Sequence, residues 1–237
     1  MRLLVTRPEP GASIFGEELH ELGHEPILQP LLEFRALNFD PAKLRTAQAL
    51  IITSGNCLRA LEEMSLFAHV ADVPLYCVGE GTARRAQAVG FKELLATADT
   101  AEQLAAKIIA SGSRNATLVH LTGEYQAFDL AGALSREGFR IETVHVYSME
   151  ACRGFTPAID AMLKAGDVNG VILMSPRTAE IYVSLCHRHG VADCAKSPLY
   201  FCLSKNVAAK LASLEPNHVR VSRKPNRTAL LELLVAD

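Results

Sequence analysis

Short apolar runs recur along the chain near residues 2 to 6, 48 to 53, 74 to 78, 116 to 121, 169 to 174, 198 to 203 and 218 to 222. Each is too short for a buried helix and rich enough in Val, Ile and Leu to read as a strand. Helical patterns follow nearly every one, as in Ala12 to Leu22, Gly81 to Val89, Ala101 to Ala110 and Leu130 to Glu137, with Gly23, Gly90, Gly112 and Gly138 at or just past their ends. Glycine relieves the left-handed position that closes a helix. A β, α, β, α order predicts mainly parallel sheets covered on both faces.

The pattern is written twice. ALIITSGNCLRAL matches GVILMSPRTAEIY with Ser54 facing Ser175, and PLYCVGEGTARRAQ matches PLYFCLSKNVAAKL with one residue inserted. Likewise RLLVTRP aligns with TLVHLTG, and ELHELGHEPILQPLLE with ALSREGFRIETVHVYS, placing Gly23 opposite Gly138 and Leu32 opposite Tyr147. So long a period excludes a solenoid and predicts two related α/β domains. Ile27 to Leu37 and Arg140 to Ala151 read as long extended connectors. The first repeat unit can pair with its neighbour or, crossed, with the last; periodicity leaves both assemblies open. In the crossed one the two connectors form a two-stranded hinge.

Composition narrows the function classes. With 24 basic against 26 acidic residues and a net charge of −2, no global field draws in nucleic acid. No run reaches the roughly 18 apolar residues of a membrane span, and no signal-peptide pattern precedes the first strand, so a soluble cytoplasmic protein is expected. The six cysteines lie mostly in apolar segments, where a thiol behaves as a small hydrophobe and disulfides are not expected.

Open α/β sheets bind ligands outside the carboxyl ends of their strands. Here those loops are Thr6-Arg7-Pro8, Thr53-Ser54-Gly55-Asn56, Gly79-Glu80-Gly81-Thr82, Thr122-Gly123-Glu124, Ser175-Pro176-Arg177-Thr178 and Ser204-Lys205-Asn206. Their Ser, Thr, Gly and Asn residues cap helices and leave backbone N–H groups outward, where helix dipoles favour anions. Each loop taken alone is explained by capping; the set suits a ligand carrying many carboxylates. The GxG at Gly79 lacks the third glycine of a dinucleotide fingerprint, where Arg84 stands, and no P-loop or nucleophile elbow occurs. Cys186, His187, His189 and Cys194 have the residue types of a metal site but not its spacing, and basic residues at a helix end account for them. Tyr147 fills a strand face on one reading and aims a proton donor at a leaving group on another.

The chain resembles the uroporphyrinogen-III synthase family over nearly its whole length, through LLVTRPEPGA, LGHEPILQPLLE, LIITSGN, PLYCVGEGTARRAQAVGF, ETVHVYS, VILMSPRTAEIY and PLYFCLS. The resemblance implies flavodoxin-like domains in the crossed arrangement, residues 1 to 34 with 151 to 237 in one and 38 to 146 in the other, with linker strands near 30 to 37 and 143 to 150. It implies cyclisation of hydroxymethylbilane, a linear tetrapyrrole polycarboxylate, with inversion of the last pyrrole and loss of water, and no metal or organic cofactor. Tyr147 then matches the tyrosine that assists departure of the hydroxyl. Ser54, Asn56, Gly79, Thr82, Thr122, Ser175 and Ser204 match substrate-binding loops, and Arg7 the arginine of the opening turn. Two departures stand out: Val207 replaces a hydroxyl residue in the second copy, and Gln126, Ala127 and Phe128 stand where an arginine is often found. A monomer is expected. The alternative from another class is a two-domain anion-binding or sensor protein that closes on its ligand without changing it.

Overall fold

In the computed structural model, which describes residues 1–235, the elements follow in the order β1 (Arg2–Val5), α1 (Gly11–Glu21), β2 (Glu25–Leu28), β3 (Leu32–Ala36), α2 (Ala42–Arg45), β4 (Ala49–Ile52), α3 (Gly55–Glu63), β5 (Leu75–Val78), α4 (Glu80–Ala88), β6 (Leu94–Ala98), α5 (Ala101–Ser111), β7 (Thr117–Gly123), α6 (Leu130–Arg136), β8 (Arg140–Ala151), α7 (Pro157–Ala165), β9 (Gly170–Leu173), α8 (Pro176–Arg188), β10 (Leu199–Cys202), α9 (Lys205–Ala209), β11 (His218–Val221) and α10 (Arg227–Val235). Every residue of β4 and β9 is buried, as expected of parallel strands covered on both faces. The helices supply the cover. In α1 the stripe Ala12, Phe15, Gly16 and Leu19 is buried, which is the spacing that keeps one helical face on a sheet.

Two compact units result, one from Met1–Glu33 with the chain from Glu150 onward, the other from Phe34–Met149. The first holds a sheet in the order β11-β10-β9-β1-β2, the second a sheet in the order β3-β8-β7-β4-β5-β6. Pairing is parallel from β2 through β11 and from β8 through β6. Leaving out β3, both sheets have the same winding: the chain runs outward from one central strand, and the remaining strands are laid on its other side. The switch point lies between β1 and β9 in one unit and between β7 and β4 in the other.

Two sequence expectations need correction, and one strand was missed. Ile27 to Leu37 is not one extended run: Gln29, Pro30 and Leu31 separate β2, on the edge of the first sheet, from β3, on the edge of the second. Pro30 has no N–H to give to a ladder, and the N–H of Leu31 donates instead to the Thr6 carbonyl at 3.0 Å. Thr122 and Gly123 are not loop residues but the last two of β7. Strand β6 escaped the hydrophobic reading because LLATA is mostly half-buried. Among the described residues no helix is long and apolar enough to cross a membrane, and all six cysteines are free thiols.

Candidate functional site

In the Phe34–Met149 unit the carboxyl ends of β4, β5, β7 and β8 surround a crevice of about 360 Å³. It sits at the switch point between β7 and β4, where adjacent connections leave in opposite directions and the strand tips part. Ser54 ends the turn after β4 and caps α3, its hydroxyl accepting from the Asn56 N–H at 3.2 Å. Thr122 closes the tip of β7 and is almost wholly buried, at 3% exposure. Tyr147, from β8, completes the wall.

Several contacts fix Tyr147. Its ring stacks on Phe34 with centroids 5.7 Å apart, and the Arg59 guanidinium covers the other ring of that stack at 4.1 Å. Such an aromatic pair contributes about 0.5–1.5 kcal/mol beyond burial. A side chain at Gly123 would begin 2.6 Å from the Tyr147 ring and 2.9 Å from its hydroxyl, so only glycine there admits the tyrosine. Burial raises the phenol pKa, while hydrogen bonds with Ser54 and Asn56 work to lower it. The net rise keeps the proton on the oxygen at neutral pH, which is the state a donor requires.

The crevice has one feature that strand-tip reasoning missed. His120, in the middle of β7, lines it at 1% exposure. Neither ring nitrogen has a hydrogen-bond partner. Burial first, and then the charge of His145, pushes its pKa down to about 4, so the ring is neutral. The available signal was the histidine of TLVHLTG standing where the other repeat has valine.

The remaining predicted residues fall into two groups. Gly79 adopts φ +83° at the start of α4, a left-handed conformation that favours glycine. Its N–H is already committed to the Ala98 carbonyl at 2.8 Å. A contribution from this turn therefore falls to the first-turn amides of α4, which have no side-chain cap; Thr82, half-buried, lies in that turn. In the other unit Ser175 caps α8 through the Thr178 N–H at 3.1 Å, and Ser204 caps α9 through the Val207 N–H at 3.4 Å. Arg7 folds back over α1, its guanidinium 2.6 Å from where a Gly11 side chain would begin. Burial lowers its pKa, as does the neighbouring Arg227, with Glu18 and Glu9 opposing. These three residues follow β1, β9 and β10, which are neighbours in one sheet.

The cysteine and histidine cluster disperses. Cys186 is buried in the core. His189 places Nδ1 3.1 Å from Asp160 and accepts the Phe155 N–H on Nε2 at 3.3 Å. A depression between α1 and α10 is rimmed by Glu18, Glu21 and Glu232, whose carboxylates suit no polyanion.

Residues 14–232 match the family model described as uroporphyrinogen-III synthase HemD. The chain belongs to the uroporphyrinogen-III synthase family. A search of curated proteins returned no match. Among solved structures, the fold is similar to that of uroporphyrinogen-III synthetase from Helicobacter pylori, with a TM-score of 0.67 and 19% identity over 99% of this chain and 98% of that one. It is also similar to a mutant uroporphyrinogen III synthase from the extremely thermophilic bacterium Thermus thermophilus, with a TM-score of 0.56 and 16% identity over 99% of this chain and 97% of that one. Members of the uroporphyrinogen-III synthase family are lyases of tetrapyrrole biosynthesis, and the chain is an enzyme of that class acting on a small-molecule tetrapyrrole.

Proposed function

We propose that the protein closes hydroxymethylbilane to uroporphyrinogen III, with the switch-point crevice of the Phe34–Met149 unit as the place where the reacting end of the substrate is held. The observation that carries the placement is Tyr147: a protonated phenol, held by Phe34, Ser54 and Asn56, at the carboxyl edge of a parallel sheet. It donates a proton to the departing hydroxyl. The electron-rich pyrrole drives that departure, so no strong nucleophile is required of the protein. The rest of the work is geometric, because holding the ends of a flexible chain in reactive register lowers the barrier by several kcal/mol.

Substrate carboxylates are assigned to the hydroxyls of Ser54 and Thr122, the Asn56 amide and the first-turn amides of α4 with Thr82. Ser175, Ser204 and Arg7 form the candidate set of the other unit, with Arg7 serving mainly to hold α1. The hinge reading rests on the two places where the chain passes between units, at Glu33/Phe34 within β3 and at Met149/Glu150 within β8. A monomeric working unit is part of the same proposal.

The test is to incubate the protein with freshly generated hydroxymethylbilane and resolve the uroporphyrinogen isomers. Type III product is expected. Type I alone, the spontaneous uninverted isomer, would mark a binding protein instead.

A further inference from the structure

His120 is a buried polar side chain with nothing to bond to. Leaving a buried polar group unsatisfied costs about 1–3 kcal/mol, and buried imidazoles are ordinarily held by at least one hydrogen bond. The matching position in the other repeat is Val5, wholly buried in an apolar cluster with Phe15 and Ile172. The sheet therefore accepts an apolar residue at this place, and the fold itself gives no reason for an imidazole. What distinguishes His120 is that it borders the crevice shared with Thr122 and Tyr147.

The surroundings say which group of a tetrapyrrole fits there. Val78, Phe128 and Tyr147 line the crevice with apolar and aromatic surface, suited to a flat ring. Glu102, exposed in the first turn of α5, is the one carboxylate of the lining. The other titratable groups in view are Tyr125 and Tyr147 of the lining and His145 on the neighbouring strand. A neutral imidazole always has one nitrogen free to accept, whereas the hydroxyls and amides at the strand tips are placed to donate to anions. The volume of about 360 Å³ is at the small end of ligand pockets, which run from about 300 to 1,000 Å³, and suits one substituted pyrrole rather than four.

Resting on the tetrapyrrole reading above, we propose that His120 is a substrate-binding residue: its unpartnered ring nitrogen accepts the N–H of one pyrrole ring seated in the crevice, while the carboxylates of that ring remain at the strand tips with Ser54 and Thr122. The histidine thus fixes the rotation of that ring about its long axis, which a set of carboxylate contacts alone leaves free.

The experiment compares wild type, His120→Leu and His120→Gln, measuring isomer composition, kcat, KM for hydroxymethylbilane and thermal stability. His120→Leu should raise KM about tenfold, the loss of one buried hydrogen bond. Its kcat should change less than KM, and its Tm should equal or exceed that of wild type. His120→Gln, whose carbonyl can still accept, should recover most of the affinity. An unchanged KM in His120→Leu overturns the proposal, as does a Gln variant no better than Leu. Should His120→Leu fail to fold, nitrogen NMR of isotope-labelled wild type decides. On adding uroporphyrinogen III kept in its reduced form, the accepting nitrogen of His120 should shift, and a static resonance overturns the proposal. Wild type that yields no type III isomer would instead sink the functional reading.

Discussion

Strands β1 and β7 occupy the same place in sheets of the same winding, and their neighbours match residue for residue. Val5 lies between Leu28 and Ile172, and His120 between Thr143 and Ile51, the partners that the internal repeat pairs with one another. One strand uses this position for core packing and the other for an imidazole without a partner. The same holds at the end of the repeat, where Leu32 is buried and Tyr147 is stacked, half-buried, at the crevice. The repeat supplies two equivalent scaffolds; on the proposal above, the proton donor and the imidazole stand on one of them, and both contribute strand-tip donors. Strand-tip caps occur in both units and so carry less information about function than the positions where the copies disagree.

The comparison can be broken most sharply at Tyr147. Replacing it with Phe removes the donor and keeps the ring, so kcat should fall on the order of a hundredfold, the lower end of what a general acid supplies, with Tm nearly unchanged. Equal turnover in the Phe variant would mean that this unit holds no proton donor of consequence. Gly123→Ala is next. A methyl group there displaces the phenol without removing it, and kcat should drop about tenfold, as expected for a misplaced catalytic group, together with a lower Tm. A fully active Ala variant would show that the phenol need not sit where it does.

The third test is one of stability against pH. His120 titrates near 4 in the folded protein and near 6.5 when unfolded. The unfolded chain therefore binds more protons between those values. Its contribution is fully present above about pH 6.5 and is lost as pH falls toward 4, by on the order of 3 kcal/mol. Denaturant unfolding across that range should show the decline in wild type and a flatter profile in His120→Leu; parallel profiles would mean that the ring is hydrated in the folded state. The smallest effect contrasts the matching caps. Ser54→Ala and Ser175→Ala should each cost about 1 kcal/mol in stability. Only the former touches Tyr147, so only it should also lower kcat, by a few-fold.

Much of this was legible in the sequence because parallel strands buried on both faces leave uninterrupted apolar runs, as ALII and VILM do. The helix caps Ser54, Ser175 and Ser204 were readable for a similar reason, since capping is a local interaction. What escaped depends on contacts distant in sequence. Nothing near Gly123 announces that its missing side chain makes room for a residue of the next strand, so Thr122-Gly123 read as a loop. His120 sits among Val119 and Leu121 and read as part of a strand, since burial without a partner is a property of the folded neighbourhood. Gly79 was read for its amide, which the Ala98 carbonyl occupies.

The interrupted numbering of the first unit bears on how the protein is made. Its first strand, β1, has β2 on one side and needs β9 on the other. Synthesis from the amino end completes the whole of the second unit before β9 exists, and domains emerging from the ribosome fold as units in that order. The nascent chain thus carries a finished sheet behind an amino-terminal hairpin-length segment whose apolar β1 lacks one flank. For that interval Leu3, Leu4 and Val5 must be shielded by α1, by a chaperone, or by speed.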